Sequence, residues 1–208
     1  MAVQLELQSV SKSFGATRVL QDFSLLLNEG DSVALLGANG SGKSTVIKLL
    51  SGQNDPSRGV GRAMGLPEGS WPQCVSLTAP YTELFEEFTP REHLRWHEKF
   101  QPLRVSAADA LAHLDLPESA WDRPIKSFSS GMKQRVKLAA AILANTPILL
   151  LDEPFSNLDA AGRHWAAQLV RNHCGALAPW GARILVVATN NDPDERALTS
   201  RDVPLPKF

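Results

Sequence analysis

Apolar and polar residues alternate at the start of the chain: Val3, Leu5 and Leu7 are set between Gln4, Glu6 and Gln8. That period of two predicts a half-buried strand. Leu20 to Leu27 is a second apolar-rich stretch, closed by the turn residues Asn28, Glu29 and Gly30. Ser32 to Leu36 (SVALL), Ile148 to Leu151 and Arg183 to Ala188 (RILVVA) are short apolar runs, the pattern of strands covered on both sides. Between them the period changes. Lys43 to Leu50 predicts a helix ended by Gly52, Ser129 and Ser130 open a longer helix that runs to about Ala144 before Pro147, and Ala160 to Cys174 predicts another. Gln53 to Pro72 is rich in Gly and Pro and predicts loop with room for one short strand. Around Phe85 to Leu116, charged residues mix with Leu84, Phe88, Leu94, Trp96 and Phe100 at helical spacing, and Ala107 to Leu114 predicts a second helix there. Strands alternating with helices predict an α/β fold: a mainly parallel sheet with helices on both faces, plus a compact helical insertion.

Composition narrows the partners more than the fold. The chain has 208 residues, 43% hydrophobic and 21% charged, enough for one α/β domain with a real core. Its 21 Lys+Arg and 22 Asp+Glu leave a formal charge of -1, so there is no basic footprint and no nucleic-acid partner is expected. Cys74 and Cys174 lie far apart without a CxxC pair and read as reduced thiols. The longest apolar stretch, Leu138 to Leu151, is broken by Asn145, Thr146 and Pro147, short of the ~20 residues of a membrane helix. The expectation is a soluble chain whose membrane role, if it has one, passes through a partner.

The strongest chemical signal is Gly37-Ala38-Asn39-Gly40-Ser41-Gly42-Lys43-Ser44-Thr45, which fits G-x-x-x-x-G-K-[ST] between a buried strand and a helix. Glycines let successive backbone N–H groups curl around phosphate oxygens, and the helix N-terminus adds partial positive charge. Lys43 is placed to reach the β- and γ-phosphates of ATP, the Ser44 hydroxyl to ligate Mg²⁺, and Thr45 to bond the α-phosphate. A second signal is the pair of adjacent carboxylates, Asp152 and Glu153, at the end of the apolar run from Ile148. Asp152 is expected to hold Mg²⁺ through water and Glu153 to polarise the attacking water as general base. The five histidines add little: His93 and His97 have metal-ligand spacing without an evident third ligand, and a solvated helix face is expected for them.

The order of motifs carries a resemblance. A phosphate loop is followed by a helical insertion, then by Phe128-Ser129-Ser130-Gly131-Met132 opening a helix. Asp152-Glu153 comes next after an apolar strand, and then Ser156-Asn157-Leu158-Asp159. Across essentially its whole length the chain resembles the nucleotide-binding subunit of an ABC transporter, with FSSGM where that family usually has LSGGQ. The resemblance implies a P-loop NTPase core with a mainly parallel central sheet, an N-terminal antiparallel β subdomain and a small helical signature subdomain. The whole is then one domain, with 1–80 and 147–208 as the ATP-binding core and 81–146 as the helical insertion. It also implies a composite site in which two cassettes pack head to tail, so that Ser129, Ser130 and Gly131 meet the γ-phosphate held by the other copy. Asp159 matches the carboxylate that helps couple the two sites, and Phe14 the aromatic that stacks on adenine. The implied partners are a second copy or a homologous ATPase subunit, and a transmembrane permease that would hold the chain on the inner, cytoplasmic face of the membrane. No metal other than Mg²⁺ is implied.

Two positions depart from the family pattern. Where the family carries a glutamine that ligates Mg²⁺, this chain has Ala79 or Pro80, and neither Thr78, Tyr81 nor Thr82 is assigned in its place. Where the family carries a switch histidine, this chain has Asn190. An amide donates a hydrogen bond but carries no charge, so slow hydrolysis is expected. A nucleotide-gated clamp that binds ATP with little turnover is the alternative reading. A small-molecule kinase would leave Ser129 to Gly131 and Ser156 to Asp159 unexplained.

Overall fold

The alternation at the N-terminus becomes two long antiparallel strands, β1 (Gln4–Phe14) and β2 (Thr17–Asn28), paired so that Leu5 faces Leu27 and Leu7 faces Leu25. Both strands have an irregular step in their apolar spacing, from Leu7 to Val10 and from Leu20 to Phe23. A strict period of two would turn Val10 and Phe23 outward. Instead Ser9 and Asp22 adopt φ of 47° and the ladder shifts register at both places, so all four residues stay buried. β4 (Arg58–Met64) pairs with the other edge of β1 and completes a three-stranded sheet, β2-β1-β4. The structure is a computed structural model and describes residues 2–174 and 181–205.

The apolar runs form the second sheet. β3 (Ser32–Leu36), β5 (Val75–Thr78), β6 (Ile148–Asp152), β7 (Ile184–Thr189) and β8 (Arg201–Pro204) are all parallel, in the order β5-β6-β7-β3-β8. Their side chains alternate between two cores. Ile148, Leu150, Ile184 and Val186 pack with the antiparallel sheet and α1 (Lys43–Leu50). Leu149, Leu151, Leu185 and Val187 pack with α4 (Ser130–Leu143) and α5 (Ala160–Cys174). Cover on both faces explains why β6 and β7 need no polar residue before their ends. α2 (Pro90–Phe100) and α3 (Ala107–Ala110) form the helical insertion, and α6 (Pro193–Arg196) follows β7.

Several elements differ from the sequence expectation. The helix expected over Ala107 to Leu114 is α-helical only to Ala110; Leu111–Leu114 tightens to a 3-10 turn that ends at Asp115 with φ of 51°. β5 and β8 had no expectation at all, being four residues each, too short to show a period. A buried cation just before β7 ties β5 and the segment leading into β6 to the end of α4. Arg183, 1% exposed, donates to Ile142 O (2.8 Å), Ser76 Oγ (2.8 Å) and Thr146 Oγ1 (2.7 Å). It offsets its desolvation with helix C-terminal carbonyl and hydroxyl partners in place of a carboxylate.

Candidate functional site

Three adjacent strands deliver the catalytic candidates to one edge. β7 lies between β6 and β3, pairing Asp152 with Ala188 and Leu36 with Thr189. The phosphate loop after Leu36, the Asp152-Glu153 pair and Asn190 therefore leave the carboxyl ends of parallel strands at nearly one level, the usual ligand edge of such a sheet.

The loop is built for glycine where it turns most sharply. Gly40 and Gly42 have φ of 80° and 94°. A Cβ on Gly37 would lie 2.2 Å from Ser41 Oγ, and one on Gly42 would lie 2.9 Å from Val19 O. Gly42 caps α1 with no side-chain hydrogen bond, which leaves the first-turn N–H groups free for an anion. Lys43 is 5% exposed, and its Nζ donates to Gly37 O (2.6 Å) and Ala38 O (3.1 Å), so its charge is held over the loop. Ser41 Oγ is buried with no partner. Thr45 is buried behind the loop on α1.

Asp152 is 2% exposed, and its Oδ2 has no hydrogen-bond partner. Burial pushes its carboxyl above the ordinary carboxylate range, the Ser44 hydroxyl pulls it back, and then Glu153 raises it while Lys43 and Lys48 lower it. A buried carboxylate oxygen without a partner, beside a serine hydroxyl, is an oxygen donor set that suits a hard divalent cation such as Mg²⁺. Glu153 follows at φ of 48°, its N–H donating to Ala188 O (2.9 Å), which turns it off the line of β6 at the edge where the phosphate loop begins. Asn190 is exposed one residue beyond β7. Phe14 is 51% exposed at the end of β1 and so is no core residue. It pairs with Thr17 across a hairpin whose second strand touches the phosphate loop at Val19.

Ser129, Ser130 and Gly131 lie elsewhere. Ser129 is the N-cap of α4, its Oγ accepting the Met132 N–H at 3.3 Å. With Asp115, Asn157 and Asp159 they border an open concavity of about 400 Å³ to which no residue of 37–45 contributes. Asp159 Oδ1 accepts the Gly162 N–H (2.8 Å) at the start of α5 and lies 3.6 Å from Arg135, which also pairs with Asp115.

Sequence reasoning missed three groups. Glu195 sits in a charged run that reads as solvated, yet it is 4% exposed. Its Oε1 accepts the Phe155 N–H at 2.9 Å and burial raises its carboxyl, with the Thr189 hydroxyl opposing that rise. It thereby ties the turn after Glu153 to the end of β7. Tyr81 and Lys48 are paired beside Asp152, with Lys48 Nζ 4.4 Å from the ring centroid. The histidines require a correction. His93 is 6% exposed, not solvated, because it faces inward from α2 against β5 and α4. It lines a cavity of about 220 Å³ with His97 and Thr78, and burial lowers its imidazole to about 4. Among the described residues no third ligating side chain joins the pair.

Comparison with known proteins agrees with this geometry. A sequence profile described as "ABC transporter" matches residues 20–156. A Nod factor export ATP-binding protein I of Rhizobium meliloti is 31% identical over 203 residues, covering 94% of this chain and 59% of that protein. The chain thus spans little more than half the length of such curated relatives. A solved structure of an ATP binding subunit of an ABC transporter superposes with a TM-score of 0.80 at 29% identity, covering 97% of this chain and 85% of the other. A dimeric bacterial ABC transporter cassette has a TM-score of 0.81 at 24% identity, covering 97% and 94%, and shares the fold.

Proposed function

This chain belongs to the ABC transporter family, and from that premise we propose that it is an ATP-binding and ATP-hydrolysing cassette that closes head to tail on a second copy, or a homologous subunit, to drive a permease. The observation that carries the reading is the shared edge: Lys43 over a side-chain-free helix N-terminus, and Asp152 with an unpartnered buried oxygen beside Ser44. Lys43 exchanges its loop carbonyls for the β- and γ-phosphates, and the N–H groups of 40–45 take the remaining charge. Ser44 and Asp152 are the residues that would hold Mg²⁺, which supplies charge neutralisation on the phosphates. Glu153 accepts the proton of the attacking water. Phe14 stacks on the adenine. Ser129, Ser130 and Gly131 complete the γ-phosphate shell of the other copy, and Asp159 couples the two sites.

We take the chain as one domain, with 1–80 and 147–208 as the ATP-binding core and 81–146 as the insertion. The permease docks on the insertion, a placement supported by the aromatic cluster of Phe85, Phe88, Trp96 and Phe100, in which Phe85 is 49% and Phe100 71% exposed. No helix of the described residues is long and apolar enough to cross a membrane. The cassette is held at the cytoplasmic face through that contact. Asn190 at the switch position favours slow turnover, and in the limit a nucleotide-gated clamp, because a neutral amide stabilises the transferring phosphoryl less than an imidazolium does.

Glu153→Gln keeps the shape of the site and removes the base. In MgATP this variant is expected to sediment as a dimer, and in MgADP as a monomer. A variant that binds MgATP but stays monomeric would refute the composite site, and a wild-type chain that binds no nucleotide would refute the whole reading.

A further inference from the structure

The end of β1 that carries Phe14 stands outside the ladder that orders the rest of the strand. Pairing with β4 stops at Ser11 and Arg58, and pairing with β2 shifts register on either side of Lys12 before the hairpin closes at Phe14 and Thr17. The segment after α1 braces this end. Gln53 and Asn54 donate their N–H groups to Lys48 O (3.1 and 3.2 Å), which fixes the segment to the last turn of the helix. The Ser57 N–H donates to Ser11 O (2.8 Å), and Ser57 Oγ accepts the Ser13 N–H (3.1 Å). Beside these bonds the Lys12 ammonium donates to Asp55 O at 2.6 Å. The same Nζ lies 5.3 Å from the centroid of the Phe14 ring. The other strand of the hairpin is seated on the phosphate loop: a Cβ on Gly42 would lie 2.9 Å from Val19 O, two residues after Thr17. Both ends of α1 therefore reach the Phe14 hairpin, the first through Gly42 and Val19, the last through Asp55 and Lys12. Phe14 is 51% exposed, so the cation covers part of the ring and leaves the rest to a ligand.

We propose that Lys12 is a positioning residue for the nucleobase: anchored on Asp55 O, it holds the Phe14 ring and draws π density to its own side, so that the open side stacks on a purine. The inference rests on the nucleotide reading above, with Phe14 as the base platform, and adds the group that sets the ring. A phenyl ring at the tip of a hairpin loses side-chain entropy when a base settles on it. A ring already held by a cation loses less, and the saving appears as affinity. Because Lys12 acts through Phe14, its effect depends on the base. A Lys12 that met phosphate directly would act on any triphosphate chain, and a Lys12 that only tied β1 to Asp55 would act on the fold.

Lys12→Met separates these roles, because it keeps an unbranched stem and removes the charge. Calorimetry is expected to show about fivefold weaker MgATP binding in Lys12→Met, with the affinity for inorganic tripolyphosphate and Mg²⁺ unchanged. Lys12→Arg keeps both the cation and a donor for Asp55 O, and is expected to bind MgATP within about twofold of wild type. In a Phe14→Ala background, Lys12→Met is expected to cost no further affinity, since the ring through which it acts is gone. The inference is overturned if Lys12→Met binds MgATP as tightly as wild type, if it weakens tripolyphosphate equally, or if its cost persists without Phe14. In each of those cases wild type still binds MgATP and the nucleotide reading stands. If the wild-type chain binds no MgATP, both are overturned.

Discussion

Asn190 stands exposed beyond β7, where the edge of the sheet meets the phosphate loop. An amide there makes one neutral hydrogen bond, whereas an imidazolium makes a charged one of roughly twice the strength. Asn190→His is therefore expected to raise ATP turnover by about tenfold, read as steady-state phosphate release. Equal rates would show that this position does not limit hydrolysis. Glu195 makes a different point about single residues. Among Asp192, Asp194 and Arg196 it is indistinguishable in sequence from a solvated acid, because nothing local says which member of the run turns inward. Only the docking of α6 against the end of β7 puts its carboxylate on the Phe155 N–H.

At the scale of elements, α4 gives one serine two duties. Ser129 caps the helix, and under the proposed function it also faces a phosphate from another copy. Aspartate caps as well as serine does, so Ser129→Asp is expected to leave the urea midpoint nearly unchanged. Its negative charge aimed at a γ-phosphate would abolish MgATP-dependent dimerisation in the Glu153→Gln background. A Ser129→Asp protein that is stable and still dimerises would confine Ser129 to capping. The long strands β1 and β2 teach a related lesson. Their apolar alternation is visible, but the three-residue steps at Leu7–Val10 and Leu20–Phe23 look like the end of a pattern until Ser9 and Asp22 are seen to restore the phase.

For the whole molecule, buried imidazoles set a lower limit of pH. Burial, with His97 as the second cause, holds His93 to about 4, and burial with His113, Arg104 and Arg183 holds His173 to about 4. Both are neutral in the fold but protonate near 6.5 once unfolded, so between these values the unfolded chain binds more protons. The stability they contribute is complete above about 6.5 and is lost as pH falls through about 4, with His93 alone accounting for on the order of 3 kcal/mol. Asp152 and Glu195, raised by burial, act in the opposite direction, so the test is a difference between proteins. His93→Gln is expected to lose less stability than wild type between neutral and acidic pH in urea titrations. Parallel losses in the two proteins would remove His93 from the account.

The phosphate loop, the apolar strands β3, β6 and β7, the span of α1 and of α5, and the carboxylates at the end of β6 were legible because each is a local signal: a spacing of glycines, a run without a polar face, a charge where a buried strand stops. That is also why the family resemblance could be stated from residues alone. The partners of those signals were not legible, because they come from chain segments far apart. Sequence cannot show that β7 inserts between β6 and β3 and so brings the loop, Asp152 and Asn190 to one level. It does not set Tyr81 against Lys48, bury His93, or place the Ser129 turn beside a concavity bordered by Asp115, Asn157 and Asp159. Spacing along a chain fixes what a segment is, and packing between segments fixes what each side chain can touch.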